Sequence, residues 1–243
     1  MDALTLAVFL AATFVGALTS GLSGFAMGLV VSGVWLHIIT PAQTAVLIVL
    51  CGLVSQALGI WKVRHAFAWR AIAPFIVGGV IGVPLGTLLL TRVDQHALRL
   101  GIGVLLVIYA IYNLARPQLK PVESSPAVDL AVGVANGFLG GLTGLGGIVV
   151  TVWCQLRGGP KDKQRAVFQP VIFATFITTT ISLGFAGALT IEILKLYALT
   201  LPALALGLWT GLRLYGKLDD AAFRKAMLWL LLLAGVALIA PIR

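Results

Sequence analysis

Two short stretches carry residue types suited to holding a small oxyanion. Ser20-Gly21-Leu22-Ser23-Gly24-Phe25-Ala26-Met27-Gly28 and Gly140-Gly141-Leu142-Thr143-Gly144-Leu145-Gly146-Gly147 lie 120 residues apart, each inside otherwise apolar sequence. A glycine cluster in an apolar run breaks a helix and bares its peptide groups. A helix restarting near Ser23, and another near Thr143, would turn unpaired N–H groups with partial positive charge towards whatever sits at the break. The expected contacts are backbone N–H groups of Gly21, Gly24, Gly141, Gly144, Gly146 and Gly147, and the hydroxyls of Ser20, Ser23 and Thr143. The amides of Gln56 and Gln169 stand behind them. The bland alternative is that these glycines only let helices pack closely. It accounts for single glycines better than for doublets with neighbouring hydroxyls at matching places.

Other chemistries fit less well. Gly21-Leu22-Ser23-Gly24 matches the GxSG pattern of rhomboid-type intramembrane proteases, but a nucleophilic serine needs a base within hydrogen-bond reach. No histidine falls at the centre of a later apolar segment, and the second stretch carries Thr143 instead of serine. This remains a remote alternative, and the chain is read as a non-enzyme. His37, His65 and His96 lack HExxH spacing, and Cys51 and Cys154 lack CxxC spacing, so no metal site is expected and both thiols are read as free. No P-loop occurs, no acidic residue sits mid-segment for a proton relay, and no cofactor is implied. Further polar residues within apolar segments, read as candidates to line the pocket or to bond between helices, are Gln43, Asn136, Gln155 and Thr178 to Thr180.

The elements that must carry these groups are membrane helices. Sixty per cent of the 243 residues are hydrophobic and only 10% are charged, and the mean hydropathy is +1.05. A soluble domain would need about 25% charged residues to cover its surface. Runs such as 71–90, 100–114 and 167–189 are long enough to cross a bilayer. The net charge of +9 sits in short loops, which points to membrane topology and anionic headgroups and away from nucleic acid. The N-terminal run lacks a basic n-region and a cleavage motif, so it is not read as a signal peptide.

The polar stretch 116–127 divides the chain into repeats 1–115 and 128–243, with the linker placed in the cytoplasm. Leu22/Leu142, Ser23/Thr143 and Gly24/Gly144 match at an offset of 120, and Gln43-Thr44-Ala45-Val46 matches Gln164-Arg165-Ala166-Val167 at 121. Each half resolves into five segments: 3–19, 24–40, 44–61, 71–91 and 96–115, then 128–140, 146–157, 166–188, 192–212 and 222–240. An odd number inverts the second copy relative to the first. Of the 17 Lys and Arg residues, only Arg92, Arg99, Lys195 and Arg243 then fall on or near the face opposite the rest. The basic face is read as cytoplasmic, with both termini outside. The first two segments of each half are short, and two readings stand: a re-entrant hairpin, with the two glycine turns meeting near the midplane, or two full crossings, which give the same sidedness downstream.

The duplicated turns, together with Gly159-Pro160-Lys161-Asp162-Lys163-Gln164-Arg165-Ala166-Val167-Phe168-Gln169-Pro170, resemble the TauE/SafE sulfite exporter family over essentially the whole chain. The resemblance implies an inner-membrane permease, bacterial or archaeal, for small sulfur oxyanions or organosulfonates. The chain departs from the family pattern at Phe25-Ala26-Met27, at Leu47-Ile48 and at Phe168-Gln169. The expectation is an all-α polytopic membrane protein working as an alternating-access carrier. The substrate is a small anion, the other partner is the lipid bilayer, and a homo-oligomer is compatible with the sequence. A passive anion channel or a membrane partner subunit is the alternative.

Overall fold

The computed structural model describes residues 1–89, 95–115, 122–185 and 187–239, apart from a few side chains within them. These form α-helices and no strand. They are α1 (Ala3–Ser23), α2 (Met27–Trp35), α3 (Pro41–Val63), α4 (Trp69–Leu89), α5 (Gln95–Ala115), α6 (Pro126–Thr143), α7 (Ile148–Arg157), α8 (Lys161–Phe185), α9 (Ile191–Lys217) and α10 (Asp220–Ile239), with a 3-10 turn at Arg64–Ala66. Half of the expected linker, residues 116–121, lies outside the described residues. Beyond it, Val122 N–H bonds the Leu156 carbonyl at 3.1 Å, and Ser125 caps α6 ahead of Pro126. Gln43, read from the sequence as a pocket residue, instead forms a capping box with Thr40 at the start of α3.

Five of these helices are long and apolar enough to cross a membrane, which makes this a multi-pass membrane protein. α2 and α7, with 9 and 10 residues, reach only about 15 Å of the roughly 30 Å of hydrocarbon. The sequence reading placed two short segments at the start of each half. Only the second of each pair is short, because α1 has 21 residues and α6 has 18. Helix continues through Gly16, Ser20 and Gly21, and through Gly140 and Gly141, because neighbouring helices close against them and repay what glycine loses in propensity.

Each short helix folds back on the long one before it. Phe9 of α1 and Trp35 of α2 stack with ring centroids 5.0 Å apart, and Trp35 Nε1 donates to the Phe9 carbonyl at 3.4 Å. On the other side, Trp153 of α7 donates to Asp129 of α6 at 3.0 Å. The principal helix pairs are α4 with α6, α1 with α9, α5 with α10, α3 with α8, α4 with α8 and α3 with α9. Advancing every helix by five places turns α1–α9 into α6–α4 and α3–α9 into α8–α4, and leaves α3–α8 and α5–α10 as they were.

Glycine ridges set the two tightest crossings. Gly78, Gly82 and Gly86 of α4 lie against the backbone of α6, where a Cβ on Gly82 would sit 2.2 Å from the Val134 carbonyl oxygen. Gly207 and Gly211 of α9 meet α1 in the same way, with a Cβ on Gly211 2.2 Å from the Leu18 carbonyl oxygen. Between lipid-bathed helices, where burial adds little, such close backbone approach is a main source of association energy.

Gly82→Val should therefore separate α4 from α6. It is expected to cost about 3 kcal/mol or more and to lower the thermal midpoint of the detergent-purified protein by several degrees. Gly216→Ala, where nothing lies within 4 Å of an added Cβ, should leave the midpoint unchanged or raise it slightly.

Candidate anion-binding site

The glycine stretches end α1 and α6; they do not begin the helices that follow. Gly24 is left-handed, with φ +93, and its N–H bonds the Ser20 carbonyl. Gly144, with φ +72, bonds Gly140 in the same way. Both are C-caps that only glycine forms without strain. α2 and α7 then begin at Met27 and Ile148, a few residues later than Ser23 and Thr143 suggested. The N–H groups of Gly24 and Gly144 are consequently spent on the caps, and the helix starts lie one turn further on.

Each helix start is tended by a polar side chain of its own hairpin. Ser23 Oγ donates to the Thr19 carbonyl at 2.7 Å and accepts from the N–H groups of Phe25 and Ala26 at 3.4 and 3.3 Å. Asn136 Oδ1 accepts from Gly147 N–H at 3.0 Å and Val150 N–H at 3.4 Å, while its Nδ2 donates to Thr175 Oγ1. Ser23 therefore spends its proton on a carbonyl of its own helix, which is not the state of a nucleophile.

The two turns come together. A Cβ on Gly28 would lie 3.3 Å from the Leu145 side chain, and one on Gly144 would lie 3.7 Å from Ala45. Gly24 approaches Phe168 and Gln169, about 12 Å along α8 from its first residue. Between the turns lies a cavity of about 10 Å³ bordered by Gly28, Ile48, Gly144, Leu145, Gly146 and Phe176, room for about one water.

A buried polar network surrounds the first turn. Gln56 Nε2 donates to the Gly24 carbonyl at 2.9 Å and leaves its Oε1 without a partner. Ser20 Oγ meets Ser55 Oγ at 2.5 Å. Arg165 is wholly buried. Its Nη1 donates to the Gly21 and Leu22 carbonyls at 3.1 and 3.3 Å, and its guanidinium lies 4.1 Å from the Tyr215 ring centroid. The Gln169 amide is oriented so that its nitrogen donates to the Gly59 carbonyl and its oxygen accepts from Arg165 Nη2, both at 3.1 Å. Arg165 Nε has no partner, and no carboxylate among the described residues pairs with this guanidinium. The nearest compensating carboxylate is Asp162, which accepts from the Tyr215 hydroxyl; a buried cation whose direct partners are neutral is costly in a membrane, and such residues characteristically mark ion or substrate paths.

Of the residues singled out from sequence, Ser20, Ser23, Gly24, Gln56 and Gln169 gather at the first turn, and Gly144, Gly146 and Gly147 at the second. Gly21 and Gly141 face α9 and α4 in close packing. The Thr143 side chain lies outside the described residues. Both glutamines serve the first turn, and the second is served by Asn136 and Thr175. Sequence reasoning assigned Arg165 to a cytoplasmic loop. The alignment of Gln164-Arg165-Ala166-Val167 with Gln43-Thr44-Ala45-Val46 already placed it inside a helix, opposite the buried Thr44.

A family model described as Sulfite exporter TauE/SafE matches residues 8–238. The "Probable sulfite/organosulfonate exporter TauE" of Cupriavidus necator is 24% identical over 226 residues, covering 90% of this chain and 88% of that protein. No solved structure matches the chain.

Asn136→Ala would strip the start of α7 of its acceptor and orphan two buried N–H groups. It is expected to cost about 1–3 kcal/mol, read as a lower unfolding midpoint. An unchanged midpoint would mean that Asn136 does not hold the second turn.

Proposed function

This chain belongs to the sulfite exporter TauE/SafE family, and from that premise we propose that it is a secondary carrier moving a small sulfur oxyanion or organosulfonate across the inner membrane. The anion binds where the two glycine turns converge. The helix starts at Met27 and Ile148, the Ser20 hydroxyl, and the amide hydrogens of Gln56 and Gln169 not given to Gly24 and Gly59 supply directional donors, while Ser23 positions the start of α2. Arg165 supplies the positive charge. Gly21 and Gly141 hold the turns against α9 and α4, Gly24 and Gly144 cap the helices before the breaks, and Gly146 and Gly147 carry the chain into α7.

The single observation that carries this reading is the contact between the two breaks, across the small cavity flanked by Gly28 and Gly144. Breaks in two separate halves of a membrane protein, brought to one place, are the architecture of a carrier site. The helix pairings that reappear on advancing by five helices support reading 1–115 and 128–243 as inverted repeats. The small cavity fits a closed state, with the anion admitted when one repeat rocks against the other. The basic loops support a cytoplasmic face beside Arg64, Arg157 and Lys161, with both termini outside. The tight network around Arg165, and the narrowness of the gap, favour a carrier over an open channel.

In proteoliposomes, labelled sulfite should enter against its gradient by exchange with internal sulfite, because only a carrier performs counterflow. Arg165→Gln should reduce that flux at least tenfold while the protein still elutes as a folded species, and Arg165→Lys should recover part of it. Flux that is linear in concentration and lacks counterflow would favour the channel.

A further inference from the structure

A second, larger cavity lies apart from the glycine turns. It has a volume of about 370 Å³ and opens where the end of α7 meets the first turns of α4 and α8. Ligand sites in proteins run from roughly 300 to 1,000 Å³, so this one suits an organic molecule better than a bare triatomic or tetra-atomic anion.

Its lining has a definite electrical character. Arg157 and Lys163 contribute two cations, and no acidic residue lines it among the described residues. Asp129 lies behind Arg157 at 3.4 Å and offsets part of that charge, while the Lys163 side chain is exposed. The start of α4 opens on the cavity and adds partial positive charge, whereas at the start of α8 Asp220 accepts from Lys161 N–H and Asp162 stands in the first turn. Gly158 and Gly159, with φ +67 and +93, form part of the wall, so peptide groups stand there uncovered by side chains. An anion is the ligand that this lining favours.

Gln164 narrows the class further. It lines the cavity, is 8% exposed, and donates through Nε2 to the Gly159 carbonyl at 2.9 Å. That bond fixes the amide's orientation and leaves Oε1 an acceptor with no partner. A buried acceptor without a donor is expensive. The ligand that relieves it brings its own donor.

We propose that this cavity is a loading site on the cytoplasmic face for an organosulfonate whose far end carries a hydroxyl or ammonium group. The sulfonate lies against Arg157, Lys163 and the start of α4, and the donor reaches Gln164 Oε1. The proposal rests on the carrier reading above and deepens it. None of the residues lining this cavity borders the small cavity between the glycine turns, so loading and central binding are separate steps.

Cys154, 3% exposed, also lines the cavity and serves as a reporter. The full chain carrying Cys51→Ala is treated, in detergent, with two methanethiosulfonate reagents, one bearing a sulfonate and one a trimethylammonium group. The sulfonate reagent is expected to modify Cys154 about tenfold faster, and 2-hydroxyethanesulfonate to slow it more than ethanesulfonate does. Lys163→Gln should weaken protection by both, and Gln164→Leu should erase the difference between them.

Equal rates for the two reagents, or no modification by either, would overturn the proposal. So would protection of Cys154 by phosphatidylglycerol nanodiscs with no added sulfonate and none by the sulfonates, which would assign the cavity to a lipid headgroup. Counterflow without protection of Cys154 refutes this site and leaves the carrier standing. Protection without counterflow of any anion supports the site and refutes the carrier.

Discussion

Inside a bilayer every peptide N–H and C=O must find its partner within the protein, and this fold breaks two helices where that demand is strictest. The rest of the arrangement follows from how the breaks are repaired. At the first, Ser23 takes up the early N–H groups of α2, Arg165 takes the last carbonyls of α1, and Gln56 takes the carbonyl of Gly24. At the second, Asn136 alone holds two N–H groups of α7. Each repair needs a partner helix at a fixed distance. Hence α3 and α8 cross beside the turns, and glycine ridges clamp α1 to α9 and α6 to α4.

The two repairs are unequal. The first turn is served by a cation and two amides arriving from α3 and α8, whereas the second is served by neutral groups from α6 and α8. Charge is therefore concentrated on the side where the basic loops lie. The backbone of the two turns is closely alike, but a buried cation stands beside the first and only neutral dipoles beside the second.

Much of this was legible in the chain. The spacing of apolar runs located the helices within a few residues, and the offset of 120 paired Gly24 with Gly144, which share the same left-handed cap. Helix boundaries near the turns were not legible, since Gly21 and Gly141 read as breakers when their packing against α9 and α4 is unknown. Tertiary contact overrides local propensity there. Nor was the fate of Gln43 legible, because a capping glutamine and a pocket glutamine look alike without the neighbouring Thr40 geometry. Arg165 was misjudged for a related reason. A basic residue close to a loop resembles a topology signal, and only the stacking on Tyr215 and the two α1 carbonyls show it turned inward.

Hydrogen–deuterium exchange of the purified protein with and without sulfite tests the central claim most directly. If both broken helices grip one anion, exchange should slow together in residues 23–30 and 144–151. Slowing confined to one hairpin, or absent from both while sulfite demonstrably binds, would contradict a shared site.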